Sequence, residues 1–177
     1  MTYRNRGMKM HLIVILIAII AAWYRADWSR FREFHATILY LISMNLLYYF
    51  FTVDYRLWVL YSHVGLPVEM LDLFYTFLLF PCTVMLYLTG FPHGWGRQVL
   101  HIGKWVLLYF GFEAVGYWLN AIHYFHGWSL IWSFLLLMVM FPMLRLHYKR
   151  PFLAYGLSVI IIIFLLYWFD VPWTMKA

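Results

Sequence analysis

Residues 151–169 read PFLAYGLSVIIIIFLLYWF, an apolar run without one charged side chain. A helix that crosses a bilayer needs roughly 20 mainly apolar residues, with a range of about 17 to 25. Lipid offers no partner to a backbone N–H or C=O, so such a run must be helical or belong to a closed barrel. Barrel strands alternate apolar and polar residues, whereas residues 160–166 are apolar on every face. The stretch is therefore a membrane helix.

Five further runs surround it, at residues 10–24, 36–53, 71–89, 99–119 and 128–144. Together they predict an all-α polytopic membrane bundle of six transmembrane helices, or five if the first does not span. The organisation is a short basic tail at 1–9, one helical domain over 10–170 and a short tail at 171–177. Run 10–24 is the shortest and is preceded by Arg4, Arg6 and Lys9, as a signal peptide would be. However, Trp23, Tyr24 and Arg25 follow it, not the small residues of a cleavage site.

Composition agrees. Of 177 residues, 66% are hydrophobic and only 11% charged, against about 25% charged in soluble domains. The single cysteine, Cys82, excludes an internal disulfide and any cysteine-based cluster. A net charge of +6 could point to nucleic acid, but the basic residues occupy short connections between apolar runs. In a membrane protein that placement marks the cytoplasmic side, and anionic headgroups are its natural partner. The expected lipid contacts are Arg25, Arg30, Arg32, Arg145, Lys149 and Arg150, with no nucleic-acid partner.

Odd-numbered connections hold those six residues together with Arg97 and, within snorkelling reach, Lys104. The opposite side holds Arg56 and Lys176. Odd connections are thus expected in the cytoplasm. With six spans this places Arg4, Arg6 and Lys9 outside, against the rule. A natural start at Met8 or Met10, or a first run that does not cross, removes the conflict; six crossings are the preferred reading. Trp23, Trp28, Trp58, Trp95, Trp118, Trp128, Trp168 and Trp173 fall at run ends or in connections, where indole rings favour the headgroup layer. Ala18 and Ala22 have the spacing that lets helices pack closely.

Ionisable groups inside lipid are costly and are candidate functional residues by default. Four polar positions form the candidate intramembrane site: Glu113 within the fourth run, Glu69 and Asp72 at the start of the third, and Asn45 midway along the second. Runs three and four are antiparallel neighbours joined near Gly94, so Glu113 is expected level with Tyr75. His63, His123 and His126 fall in connections on the same side and form a second tier. One reading is a proton or cation site built from carboxylates and imidazoles. The preferred one is a neutral Glu113 hydrogen-bonded to Tyr109 or Tyr117, with Asn45 bonding between helices and no tightly bound transition metal. No phosphate loop, zinc motif or nucleophile elbow is present. No catalytic residue and no cofactor are expected.

The stretches His126-Gly127-Trp128 and Trp132-Ser133, and the run from Met140-Phe141-Pro142 to Lys149-Arg150-Pro151, resemble a family of small multi-pass membrane proteins of spore-forming Gram-positive bacteria. His35-Ala36-Thr37 and Asn45-Leu46-Leu47-Tyr48 belong to the same likeness, as does the Met10-His11 pair with which such proteins often begin. The resemblance implies a bacterial plasma membrane location and a link to sporulation, without activity, cofactor or site residues. Three functions follow in order of preference. The first is a non-enzymatic structural component working through lipids, a membrane-protein partner or a second copy of itself. The second is a small-solute or ion carrier, or its substrate-binding subunit, with Glu113 as coupling group. The third is an intramembrane enzyme. A carrier requires a polar cavity that reaches Glu113, and a structural component does not.

Overall fold

A computed structural model describes residues 6–61 and 67–172. The chain is a bundle of antiparallel helices, five of them long and apolar enough to cross a membrane. α1 (Arg6–Arg25) leads through a single 3-10 turn to α2 (Phe31–Phe51), and β1 (Trp58–Leu60) follows. The third long helix, Val68–Thr89, comprises α3 (Val68–Phe74), a π-helical turn at Tyr75–Leu79 and α4 (Phe80–Thr89). α5 (Trp95–Trp118), β2 (Ile122–Tyr124), α6 (Leu130–Lys149) and α7 (Pro151–Trp168) complete the order.

The π turn has an identifiable cause. Pro81 carries no N–H, and in a regular helix its ring would press on the carbonyl four residues earlier. The backbone inserts one residue, so the Phe80 N–H reaches back to the Tyr75 carbonyl. Such bulges recur at functional positions, and this one turns Tyr75 inward.

α4 packs against both α1 and α2, while α6 packs against α2, α5 and α7. The main core lies among α2, α4, α5 and α6 and includes Phe34, Val84, Tyr87, Phe141 and Leu144. The buried Tyr87 hydroxyl donates to the Phe141 carbonyl at 2.9 Å. A second core at the other end joins Leu57, Trp128, Leu166 and Phe169. Val171, assigned by sequence to the C-terminal tail, is buried in that core. The chain folds back there through Asp170 in the left-handed region, with the Val171 N–H bonded to the Leu166 carbonyl.

α1 traverses the full depth of the bundle. At one end the side chain of Met10 lies against Gly116 of α5. At the other, the Asp27 N–H just beyond α1 donates to the Thr89 hydroxyl at the end of α4. Twenty helical residues span about 30 Å, which fits a crossing, although the apolar part, Met10–Arg25, is shorter than the other five. Ala22 is fully buried, whereas Ala18 faces a cavity and does not form the second half of a close helix contact.

The two strands were not expected from the apolar runs. β1 and β2 form an antiparallel ribbon over one end of the bundle, pairing Trp58 with Tyr124, Val59 with His123 and Leu60 with Ile122. Strands of three residues are too short to read from alternation. The opposite end carries the turns 26–30, 90–94 and Arg150, where most of the basic residues lie.

Candidate functional site

In an antiparallel ribbon, paired residues share a face and successive pairs alternate. Trp58, Leu60, Ile122 and Tyr124 therefore point into the bundle, and Val59 and His123 point away. Tyr48, at the end of α2, holds the ribbon in place. Its hydroxyl accepts from the Leu57 and Trp58 N–H groups at 3.2 Å each, and its ring stacks on Trp58 with centroids 3.8 Å apart. Tyr48→Phe should leave two backbone donors without a partner and cost about 1–3 kcal/mol. Faster hydrogen exchange at Leu57 and Trp58, with a lower melting temperature in detergent, would record it.

Beneath the ribbon, Tyr124 reaches Glu113 of α5, its phenol donating to Oε1 at 2.8 Å. Burial first, then the neighbouring carboxyl, raises the pKa of this phenol above its ordinary value, so it remains a donor. Ser133 of α6 adjoins the carboxyl and accepts from the Trp128 indole at 2.9 Å. The partners expected from the sequence are otherwise engaged. Tyr109 bonds to Thr83 on α4, and Tyr117 stacks on Tyr124 at 5.2 Å. Helix spacing identified the nearest tyrosines on α5 but could not foresee one delivered by a strand.

Glu113 opens onto a cavity of about 690 Å³ between α1, α3–α4, α5 and α6. Asn45, Tyr75, Tyr109 and Trp128 line the same end. The middle is apolar, with Ala18 of α1 facing Leu108 and Phe112 of α5. The far end is rimmed by Arg25, Gly90, His101 and Lys104. Met10, Leu60 and Ile122 close the ribbon end. At Gly116 the closure is tight, since a Cβ would stand 2.8 Å from Ile122 and 3.1 Å from Met10. A second, smaller cavity of about 250 Å³ lies between α2, α6 and α7, and its lining includes Met44, Leu144 and Ile162.

Of the other candidates, Asn45 lines the same cavity, while the candidate acids and histidines among the described residues do not. Asp72 is buried and pairs with Arg56 at 3.3 Å, while the exposed Glu69 lies 3.4 Å from the same guanidinium. Arg56, which the sequence presented as one of two cations on its side, thus neutralises the acids at the start of the third helix. Asn45 donates across to the Thr76 hydroxyl at 2.7 Å, and that hydroxyl donates to the Asp72 carbonyl. His123 bonds to the Asn120 carbonyl on the outward face. His126 bonds to the Arg56 carbonyl and stacks on Tyr55. His63 lies outside the described residues. Among the described residues no group of three or more His, Cys, Asp or Glu is arranged to hold a metal ion. Among the described residues, Glu113 is thus not gathered with Glu69, Asp72, His123 and His126 into one site.

The sequence reading missed His11. It is fully buried, with Nδ1 2.7 Å from the Tyr75 hydroxyl and Nε2 3.1 Å from the Ala121 carbonyl. A carbonyl can only accept, so Nε2 carries the hydrogen and, in the neutral ring, Nδ1 accepts from Tyr75. The ring ties α1 to the third helix and to the approach to β2. The signal was an ionisable residue in an apolar run, but placing the run's start at Met10 put His11 at its edge.

The basic residues expected at headgroups also divide. Arg25, Arg32, Lys149 and Arg150 are exposed. Arg30 pairs with Glu33 at 2.8 Å. Arg145 lies within α6, its guanidinium 4.1 Å above the Phe91 ring and its Nε buried without a hydrogen-bond partner. Of the tryptophans, Trp23, Trp95, Trp118 and Trp168 are exposed at helix ends, whereas Trp128 is buried beneath the ribbon. Comparison with known proteins returns no matching family model, no matching curated protein and no matching solved structure.

Proposed function

We propose that this protein is a small-solute-binding membrane protein, a carrier or the substrate-binding subunit of one, with Glu113 as its ligand or coupling group. The observation that carries this reading is the cavity that reaches Glu113. A purely structural component has no use for such a space, and packing would be expected to fill it. Binding sites are concave, mainly apolar and furnished with a few convergent polar groups, as here.

The proposed setting is a bacterial plasma membrane, as the family resemblance implies, with anionic lipids around the exposed basic residues. The ribbon faces outward and the Arg25–Lys104 rim faces the cytoplasm. In a Cys82→Ser background, Ser29→Cys and Lys149→Cys should be shielded from an impermeant maleimide applied to intact cells, while Asp54→Cys should react. The opposite pattern reverses the orientation. For the binding role, a thermal-shift screen of the purified protein against charged, neutral and amphipathic small solutes should find at least one class that raises the melting temperature saturably. That class should lose its effect on Glu113→Gln. A screen without any saturable hit would refute the reading.

A further inference from the structure

We propose that the cavity takes an amphipathic organic amine, with its ammonium group seated on the Glu113 carboxylate and its apolar body lying between α1 and α5. The inference rests on the solute-binding reading and adds the chemical class of the solute.

Charge comes first. Among the described residues, Glu113 makes no ion pair: Arg30 pairs with Glu33, and Arg56 serves Glu69 and Asp72. On its own helix, Lys104 lies nine residues away, about 13 Å along the axis, at the opposite end of the cavity. A carboxylate withdrawn from bulk water without a cation is costly, and an ammonium in the cavity supplies the missing charge. The Tyr124 phenol donates to Oε1 and the Ser133 hydroxyl adjoins the same carboxyl, and the lone pairs these two leave unused can receive an N–H from the ligand.

The surroundings then select the kind of cation. A hard metal ion requires about six oxygen ligands, whereas among the described residues Glu113 is the one carboxylate lining this space. Trp58, Trp128, Tyr49, Tyr75 and Tyr109 border the same end, and aromatic faces attract organic ammonium groups. The apolar middle formed by Ala18, Leu108 and Phe112 suits a hydrocarbon or aromatic body. Arg25 and Lys104 at the rim repel a second positive charge, so a monoamine is favoured over a diamine.

The test uses full-length protein in phosphatidylcholine nanodiscs, with binding followed by tryptophan fluorescence, since Trp58, Trp105 and Trp128 line the cavity. The probes are phenylbutylamine, phenylbutanol and phenylbutyrate, which share one apolar body and differ in head group. Phenylbutylamine should bind saturably and at least about tenfold more tightly than the alcohol or the acid, as a charge-assisted contact requires. Glu113→Gln preserves the acceptor for Tyr124 and should remove that advantage. Glu69→Gln removes an exposed carboxylate outside the cavity and should retain amine affinity. Equal binding of the alcohol or the acid, undiminished amine binding by Glu113→Gln, or no saturable response to any probe would each overturn the amine inference. The thermal-shift screen separates the two failures: a saturable hit of another class there keeps the broader solute reading while the amine inference falls.

Discussion

Arg56→Met should lower stability by about 3 kcal/mol, because it leaves the buried Asp72 carboxyl without its counter-charge. Breaking a buried pair from one side typically costs about 3–5 kcal/mol. The lower figure applies because Arg56 is 24% exposed, so water compensates part of the loss. Glu69, 69% exposed, should contribute little, and Glu69→Gln should be close to neutral. The diagnostic variant is the double substitution Arg56→Met, Asp72→Asn, which removes both charges and should recover most of the loss. Unfolding in detergent, followed by circular dichroism, measures all three against the wild type. If Arg56→Met unfolds like the wild type, the pair does not hold the ribbon end together.

Glu113→Lys should be comparably damaging, by about 3 kcal/mol, the cost of a cation at membrane depth. It sets a positive charge where no acid lines the cavity and deletes the acceptor of the Tyr124 hydrogen bond. Glu113→Gln, by contrast, should melt within a degree or two of the wild type while losing the solute. Loss of binding without loss of fold separates a ligand group from a structural one. A Gln variant that fails to fold would assign Glu113 to the architecture.

The helices were legible because each must satisfy its own backbone within lipid, and the apolar runs express that requirement directly. Their ends were less so. α5 begins at Trp95, four residues before the apolar run, and α6 continues to Lys149. Basic side chains can remain helical while their heads reach water. The site was half legible. Glu113 stood out as a charge in an apolar run, but its partner was read as a residue one helical turn away. Tyr124 reaches it only through the register of a ribbon whose strands lie more than sixty residues apart in sequence. No local period encodes such a pairing. The pairing of Asp72 with Arg56 is tertiary in the same way, since Arg56 reaches Asp72 from the end of β1's approach, sixteen residues earlier.

The measurement that bears most directly on the account is the chemical accessibility of position 113. In a Cys82→Ser background, Glu113→Cys should react with a small cationic methanethiosulfonate in detergent or nanodiscs. Prior addition of the solute found by screening should slow that reaction, while Lys149→Cys, exposed at the C-terminal end of α6, should react regardless. An inert Glu113→Cys in a folded protein, beside a reactive Lys149→Cys, would mean that no cavity reaches this position and would contradict the solute-binding reading.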